Sequence, residues 1–243
     1  MNQNPLLSQR FAFKLLRSTL LMVVLLAVWA PGQAQIKNRS GVDSTIFISN
    51  TIFVPKHPYE SGAENWDVAV GDIDKDGKID VVSASNLDGK INVHLNEGKG
   101  RYNNITSYDG GNYNRSIVLE DFNKDGWLDI ATVSVKDMKV NWLMNDGSGR
   151  FLPKKTMSAG GGFPHDITAA DVNQDGFIDL ITVTNMTARV NLHFGDGAGN
   201  FTGAKSFPVE RKPRSVKVAD LNGDGIPDLI VGTDSRTVDY LLG

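Results

Sequence analysis

Four stretches of this sequence place short carboxylates at one repeated spacing: DIDKDGKID at 72–80, DFNKDGWLD at 121–129, DVNQDGFID at 171–179 and DLNGDGIPD at 220–228. Read as D-x-[DN]-x-D-G-x-x-D, each supplies side-chain oxygens at positions 1, 3, 5 and 9. These are Asp72, Asp74, Asp76 and Asp80, then Asp121, Asn123, Asp125 and Asp129, then Asp171, Asn173, Asp175 and Asp179, and last Asp220, Asn222, Asp224 and Asp228. Position 7 offers a main-chain carbonyl, from Lys78, Trp127, Phe177 and Ile226, and the glycine at position 6 permits a sharp turn. An all-oxygen set of this kind suits Ca²⁺, a hard cation with roughly six to eight oxygen ligands in flexible geometry. Carboxylates this close repel one another without a cation. Asp, Asn and Gly also favour ordinary turns, but four loops with every ligand position filled exceed what turn preference explains. The set predicts about four calcium ions, one per loop. The first loop, with four carboxylates in place of three plus Asn, is expected to bind tightest.

These loops are not EF-hands. An EF-hand needs a bidentate Glu at position 12 and flanking helices, whereas position 12 here is Ser83, Thr132, Thr182 and Val231, all within β-forming runs. The loops start 49, 50 and 49 residues apart, and a second motif, LNEGKGRY (95–102), MNDGSGRF (144–151) and FGDGAGNF (194–201), follows the first three in phase. Two motifs in one register make a repeat, and a period near 50 points to a propeller or solenoid.

Within a unit the apolar residues alternate or form short β-branched runs, as in VAVGD then DVVSAS, or SVKVAD then DLIVGT. A third run follows (INVHL, VNWLM, VNLHF, VDYLL), then the Gly-rich turn, then a fourth (RYNNITSY, RFLPKKTM, NFTGAKSF). Four short strands joined by turns are the content of one propeller blade. The expected fold is therefore all-β, a propeller of four blades of about 50 residues. The fourth unit stops at VDYLLG, while TIFVPKHPY (51–59) has no unit of its own. It is expected to supply the outer strand of the last blade, which would close a four-blade ring and hide its edges. The chain can equally be a piece of a larger propeller.

The composition is that of a globular chain: 243 residues, 25 Lys and Arg against 28 Asp and Glu, and 40% hydrophobic. There is no cysteine, hence no disulfide framework, thiolate metal site or cysteine nucleophile. A net charge of −3 without a basic face argues against nucleic-acid binding. Only five of the 28 acids are Glu, and 13 of the 23 Asp sit in the four loops. Residues 1–17 carry Arg10, Lys14 and Arg17 and no acid, and an apolar run from Leu20 to Ala30 ends at Pro31-Gly32. This is the pattern of a secretory signal over 1–34, cleaved after Ala34 and too short to remain as a membrane span. Its removal takes three positive charges and leaves the exported chain at −6. A segment over 35–50 would then precede the repeat region, 51–243. The expected location is secreted, periplasmic or at the cell surface.

Strand, Asp loop, aliphatic strand and Gly-rich turn, as in SVKVADLNGDGIPDLIVG and VNWLMNDGSGRF, resemble the FG-GAP or VCBS repeat of integrin alpha-chain propellers and of many secreted bacterial proteins. The resemblance covers roughly residues 51–243. It implies a calcium-binding β-propeller, in proteins that serve as adhesion modules, sugar binders, accessory domains of enzymes and occasionally polysaccharide lyases.

One slot varies while its surroundings repeat. The residues entering the first strand of each unit are Trp66, Arg115, His165 and Arg214, followed by Asp67, Ser116, Asp166 and Ser215. An aromatic ring, two guanidiniums and an imidazole brought together could stack on a sugar and grip a carboxylate. Equally, they could be ordinary surface-loop residues. His94 and His193 share a slot with Leu143 and Leu241, and Trp142 one with Val93, Leu192 and Tyr240, so all three read as core. No catalytic residues stand out. The expected function is a secreted, calcium-stabilised binding or adhesion module for a glycan or an extracellular protein. The alternatives are a polysaccharide-acting, lyase-like enzyme or its accessory domain, and a fragment that completes its edges with other copies.

Overall fold

The computed structural model describes residues 61–203, 205–235 and 237–243. The expected signal (1–34), the segment 35–50 and the strand at 51–59 lie outside the described residues. The described residues form strands and turns with no helix among them, in four antiparallel sheets taken up one after another along the chain. The first sheet holds β1 (Asn65–Gly71), β2 (Asp80–Ser85), β3 (Lys90–Leu95) and β4 (Asn104–Asp109). The second holds β5 (Asn114–Glu120), β6 (Asp129–Ser134), β7 (Lys139–Leu143) and β8 (Lys155–Ser158). The third holds β9 (Pro164–Ala170), β10 (Asp179–Thr184), β11 (Arg189–His193) and β12 (Lys205–Pro208). The fourth holds β13 (Pro213–Ala219), β14 (Asp228–Thr233) and β15 (Val238–Leu241).

Each sheet meanders in sequence order, and the first strands pack in succession, β1 against β5, β5 against β9 and β9 against β13. This is a β-propeller-like arrangement. It follows from the sequence, because the aliphatic second strands are buried on both faces; every residue of β6 and β10 is buried. Three apolar clusters fill the spaces between consecutive sheets. Ile73, Val82, Ile117 and Ile130 lie in the first, Phe122, Val133, Trp142 and Leu180 in the second, and Ile181, Val190, Val216 and Val231 in the third. A fully buried aliphatic side chain contributes roughly 1.5–3 kcal/mol, so these interfaces dominate the stability of the fold.

The two ends of every sheet differ. At one end the Asp loop joins the first two strands, with Gly71 paired to Asp80, Glu120 to Asp129, Ala170 to Asp179 and Ala219 to Asp228. At the other, the turn before the first strand is hydrogen-bonded to the hairpin between the second and third, as in Asn86 N to Glu64 O at 2.9 Å and Asn185 N to Phe163 O at 2.9 Å. No helix among the described residues is long and apolar enough to cross a membrane.

Candidate functional sites

The four Asp loops share one backbone frame. Position 6 is glycine in the left-handed region in every copy, at φ 83° to 86° (Gly77, Gly126, Gly176, Gly225). Position 4 is left-handed too, although three copies carry a side chain there: Lys75 (φ 57°), Lys124 (61°) and Gln174 (58°). The first Asp folds over this turn and accepts the position-6 N–H, for example Gly126 N to Asp121 Oδ2 at 2.7 Å and Gly176 N to Asp171 Oδ2 at 2.7 Å. The position-3 oxygen accepts the N–H of position 5 in all four loops, at 2.9 to 3.2 Å. The position-5 carboxylate accepts the position-7 N–H of Lys78, Trp127, Phe177 or Ile226.

The ninth residue has a second task. Asp80, Asp129, Asp179 and Asp228 are all fully buried. One oxygen of each accepts the N–H just after position 1 (Ile73, Phe122, Val172, Leu221) at 2.8 to 3.1 Å. The other accepts an N–H beyond the third strand (Asn96, Asn145, Gly195, Gly243) at 2.7 to 2.9 Å. The ninth Asp thus ties the Asp loop to the far end of the third strand, where the first three sheets carry their Gly-rich turn. A neighbouring sheet adds to this: a Cβ on Gly149 would come within 2.6 Å of Asp74 Cβ. Only glycine lets the second sheet's turn approach the first sheet's loop so closely.

In the first loop Asp72, Asp74 and Asp80 each bring an oxygen within 4.8 Å of the others. Burial, followed by the charges of Asp80, Asp76 and Asp72, holds Asp74 above the usual carboxylate range. Asp129 is pushed up to about 6 by burial, with smaller contributions from Asp125 and Asp121 against two N–H bonds that lower it, and Asp179 is raised for the same reasons. A divalent cation would relieve this crowding, and a donor set of carboxylate, amide and carbonyl oxygens fits a hard one. Asp76, the fourth carboxylate of the first loop, stands apart from the three. It pairs with Lys78 Nζ, which with the Lys78 N–H draws its pKa down.

Adjacent loops are also laced together through position 4. Lys75 Nζ lies 4.4 Å from the Trp127 ring centre, Lys124 Nζ lies 4.4 Å from that of Phe177, and Gln174 Nε2 donates to Gly225 O at 2.7 Å. The Trp127 and Phe177 side chains at position 7 thereby act between sheets, a role separate from the carbonyl ligands expected of the same residues.

At the opposite end of the first strands, some six residues or roughly 20 Å away at strand rise, the variable slot comes together. Arg115 stacks on Trp66, its guanidinium carbon 4.1 Å from the ring centre. Arg214 Nη1 donates to His165 Nε2 at 2.6 Å, and its Nε and Nη2 donate to Asp234 Oδ2 at 2.7 and 2.5 Å. His165 is pushed down to about 4, first by burial and then by Arg115 and Arg214. The ring is therefore neutral at physiological pH. Since Nε2 accepts from Arg214, its proton sits on Nδ1. Just below, Asp67 and Asp166 accept the N–H groups of Ile117 and Val216 from the following sheets, and Ser116 Oγ lies 2.9 Å from Asp67 Oδ2 and 2.7 Å from Asp166 Oδ1. This row joins the sheets. Asp234 was not singled out from the sequence. A signal existed, since its slot holds Asn86, Val135 and Asn185 in the other units and turns acidic only in the fourth.

His94 and His193 are buried in the strands, and Trp142 is buried with its Nε1 donating to Gly199 O at 3.1 Å. All three belong to the packing, as expected.

Fold and loops together define a propeller-like repeat protein with an acidic loop in each sheet. The FG-GAP-like repeat matches residues 72–132, 121–182 and 171–231, and the chain belongs to this family. No curated protein sequence matches it significantly. Among solved structures, BBS1N in complex with ARL6DN is 13% identical with a TM-score of 0.54, over 74% of this chain and 55% of that one. An auxiliary nutrient binding protein from Bacteroides ovatus is 11% identical with a TM-score of 0.52, over 73% and 44%. An Agrocybe aegerita lectin that recognises non-reducing terminal N-acetylglucosamine is 22% identical with a TM-score of 0.49, over 70% and 50%. The chain thus spans about half the length of these structures. The first two share its fold.

Proposed function

We propose that this chain is an exported, calcium-stabilised β-propeller module of four blades that binds a glycan or an extracellular protein. The observation that carries the calcium reading is the uniform loop frame. In all four copies the oxygens at positions 1, 3, 5 and 9 are held by main-chain N–H groups of the same loop, and three carboxylates converge in the first. Asp72, Asp74, Asp76 and Asp80 and their counterparts are the proposed ligands, completed by the position-7 carbonyls. Calcium belongs to the folded state alone, because the unfolded chain has no such frame. The exported location rests on residues 1–34 and is part of the same proposal. The binding role rests on the cluster of Trp66, Arg115, His165 and Arg214 at the other end of the strands, where the side-chain types break the repeat.

Thermal melts in calcium and in EGTA test the metal. Each site is expected to add about 2.7 kcal/mol when free calcium stands 100-fold above its dissociation constant, so the midpoint should climb with calcium concentration. A midpoint identical in EGTA and in calcium sinks the reading.

A further inference from the structure

Each residue of the variable slot occupies the same kind of backbone irregularity. In the first sheet Asn65 pairs with Ser85 and Asp67 with Ala84, leaving Trp66 as the extra residue of a bulge. Arg115 stands between the Asn114–Ser134 and Ser116–Val133 pairs, His165 between Pro164–Thr184 and Asp166–Val183, and Arg214 between Pro213–Thr233 and Ser215–Gly232. A bulge takes one side chain out of the alternation of its strand and re-aims it, and bulges gather beside functional sites. Four bulges at one level bring four such side chains into one cluster.

The partners within the cluster are unequal. Arg214 is committed to Asp234 and His165. Arg115 is half-buried, and among the described residues its guanidinium meets neither a carboxylate nor a hydrogen-bond acceptor. It lies on the Trp66 ring, with Arg214 as the charge it feels. Stacking leaves the edge donors of a guanidinium free to form a bidentate fork with a planar anion. Trp66 remains 49% exposed, so an apolar platform adjoins that fork. His165 adds a neutral donor at Nδ1, which makes no hydrogen bond among the described residues. A forked cation, an adjoining aromatic surface and a neutral donor match a ring that carries both hydroxyls and a carboxylate.

We propose that this cluster binds the carboxylate of an acidic sugar, with Arg115 as the fork, Trp66 as the platform for the pyranose ring and Arg214 adding positive charge. The inference rests on the glycan-binding reading and names its ligand class.

The test is calorimetric titration of the full chain in calcium with three probes: a glucuronate trisaccharide, the glucose trisaccharide of the same linkage, and a sulphated form of the latter. The uronate is expected to bind about tenfold tighter than either of the others, as a charge-assisted fork requires. Arg115→Gln is expected to lose about that factor, and Arg115→Lys to lose most of it, because lysine keeps the charge without the fork. Trp66→Ala should weaken the uronate while leaving the melting midpoint in place. Equal affinity for the neutral trisaccharide, tighter binding of the sulphated one, or an Arg115→Gln variant that still binds uronate as the parent does would overturn the proposal. Neutral-sugar binding that survives Arg115→Gln and Trp66→Ala would overturn this site alone and keep the glycan-binding module. Failure of all three sugars in a protein whose midpoint still rises with calcium overturns the site and the glycan reading, and leaves calcium standing.

Discussion

His193 shows how one side chain sets a response to acid. It is 1% exposed in β11, with Nε2 3.3 Å from Thr182 Oγ1 and Nδ1 without a partner among the described residues. Burial pushes its pKa down to about 4, against roughly 6.5 in the unfolded chain. As pH falls, the unfolded state therefore takes up the proton first. The stability tied to neutral His193 is whole above about pH 6.5 and is lost progressively as pH falls towards 4. Leucine fills the equivalent position in two other units, as Leu143 and Leu241, so His193→Leu should fit. Melts of parent and variant should agree closely at neutral pH. At about pH 4.5 the variant should gain roughly 2 to 3 kcal/mol over the parent. Parallel pH profiles would show that another group controls the acid response. His165 is depressed as well, but Arg115 and Arg214 share responsibility there, and its titration would reach the proposed sugar site as well as the fold.

At the scale of the element, each Asp loop couples a metal frame to a structural pin, and substitution should separate the two. Asp129→Ala strands the buried N–H groups of Phe122 and Asn145. Each unpaired donor costs about 1–3 kcal/mol, so this variant should melt early in EGTA as well as in calcium. Asp125 lies in the exposed part of the loop, where its carboxylate accepts the N–H of Trp127. Asp125→Ala should therefore lose most of its stability difference once calcium is removed. If both variants respond to calcium alike, the ninth Asp is not the pin described. The Asp loops and most strands were legible in the sequence because ligand spacing and period-2 alternation are local properties. The bulges were not, since a bulge is a mismatch between two strands and neither β1 nor β2 shows it alone. The pin was hidden for a related reason. Asp80 reads as a ligand at position 9, and its main-chain partners at Ile73 and Asn96 carry no side-chain signal. The lacing of Lys75 over Trp127 joins positions 52 residues apart, and two ordinary side chains do not reveal it.

For the whole set of sheets, the same sequence slot has different surroundings at the two ends of the series. Val68 in β1 is 59% exposed, whereas its counterparts Ile117, Ile167 and Val216 are 6%, 3% and 0% exposed. On the opposite face Tyr240 in β15 is 67% exposed, against 1%, 5% and 9% for Val93, Trp142 and Leu192. The first sheet exposes apolar side chains on one face only along β1, at Val68 and Val70, since Ser83, Asn92 and His94 on that face are buried, and the fourth sheet exposes Tyr240 on the other, while the second and third are covered on both sides. The lacing on the Asp-loop side has the same polarity: it runs through Lys75, Lys124 and Gln174, ends where Gln174 meets Gly225 O, and goes no further because position 4 of the fourth loop is Gly223, which has no side chain to extend it. Local opening is easiest where apolar contacts are fewest. Native-state hydrogen exchange in calcium should therefore find its most protected amides in β6, β7, β10 and β11, buried strands of the covered sheets. Amides of β13, β14 and β15 should exchange through a lower-energy opening, since that sheet has three strands among the described residues and an uncovered face. Protection in β14 equal to that in β10 would mean that the face carrying Tyr240 is covered in solution. The same measurement on β1 would then decide between two kinds of cover: rising protection around Val68 at constant protein concentration points to cover from within the chain, and protection that grows with concentration points to a second copy.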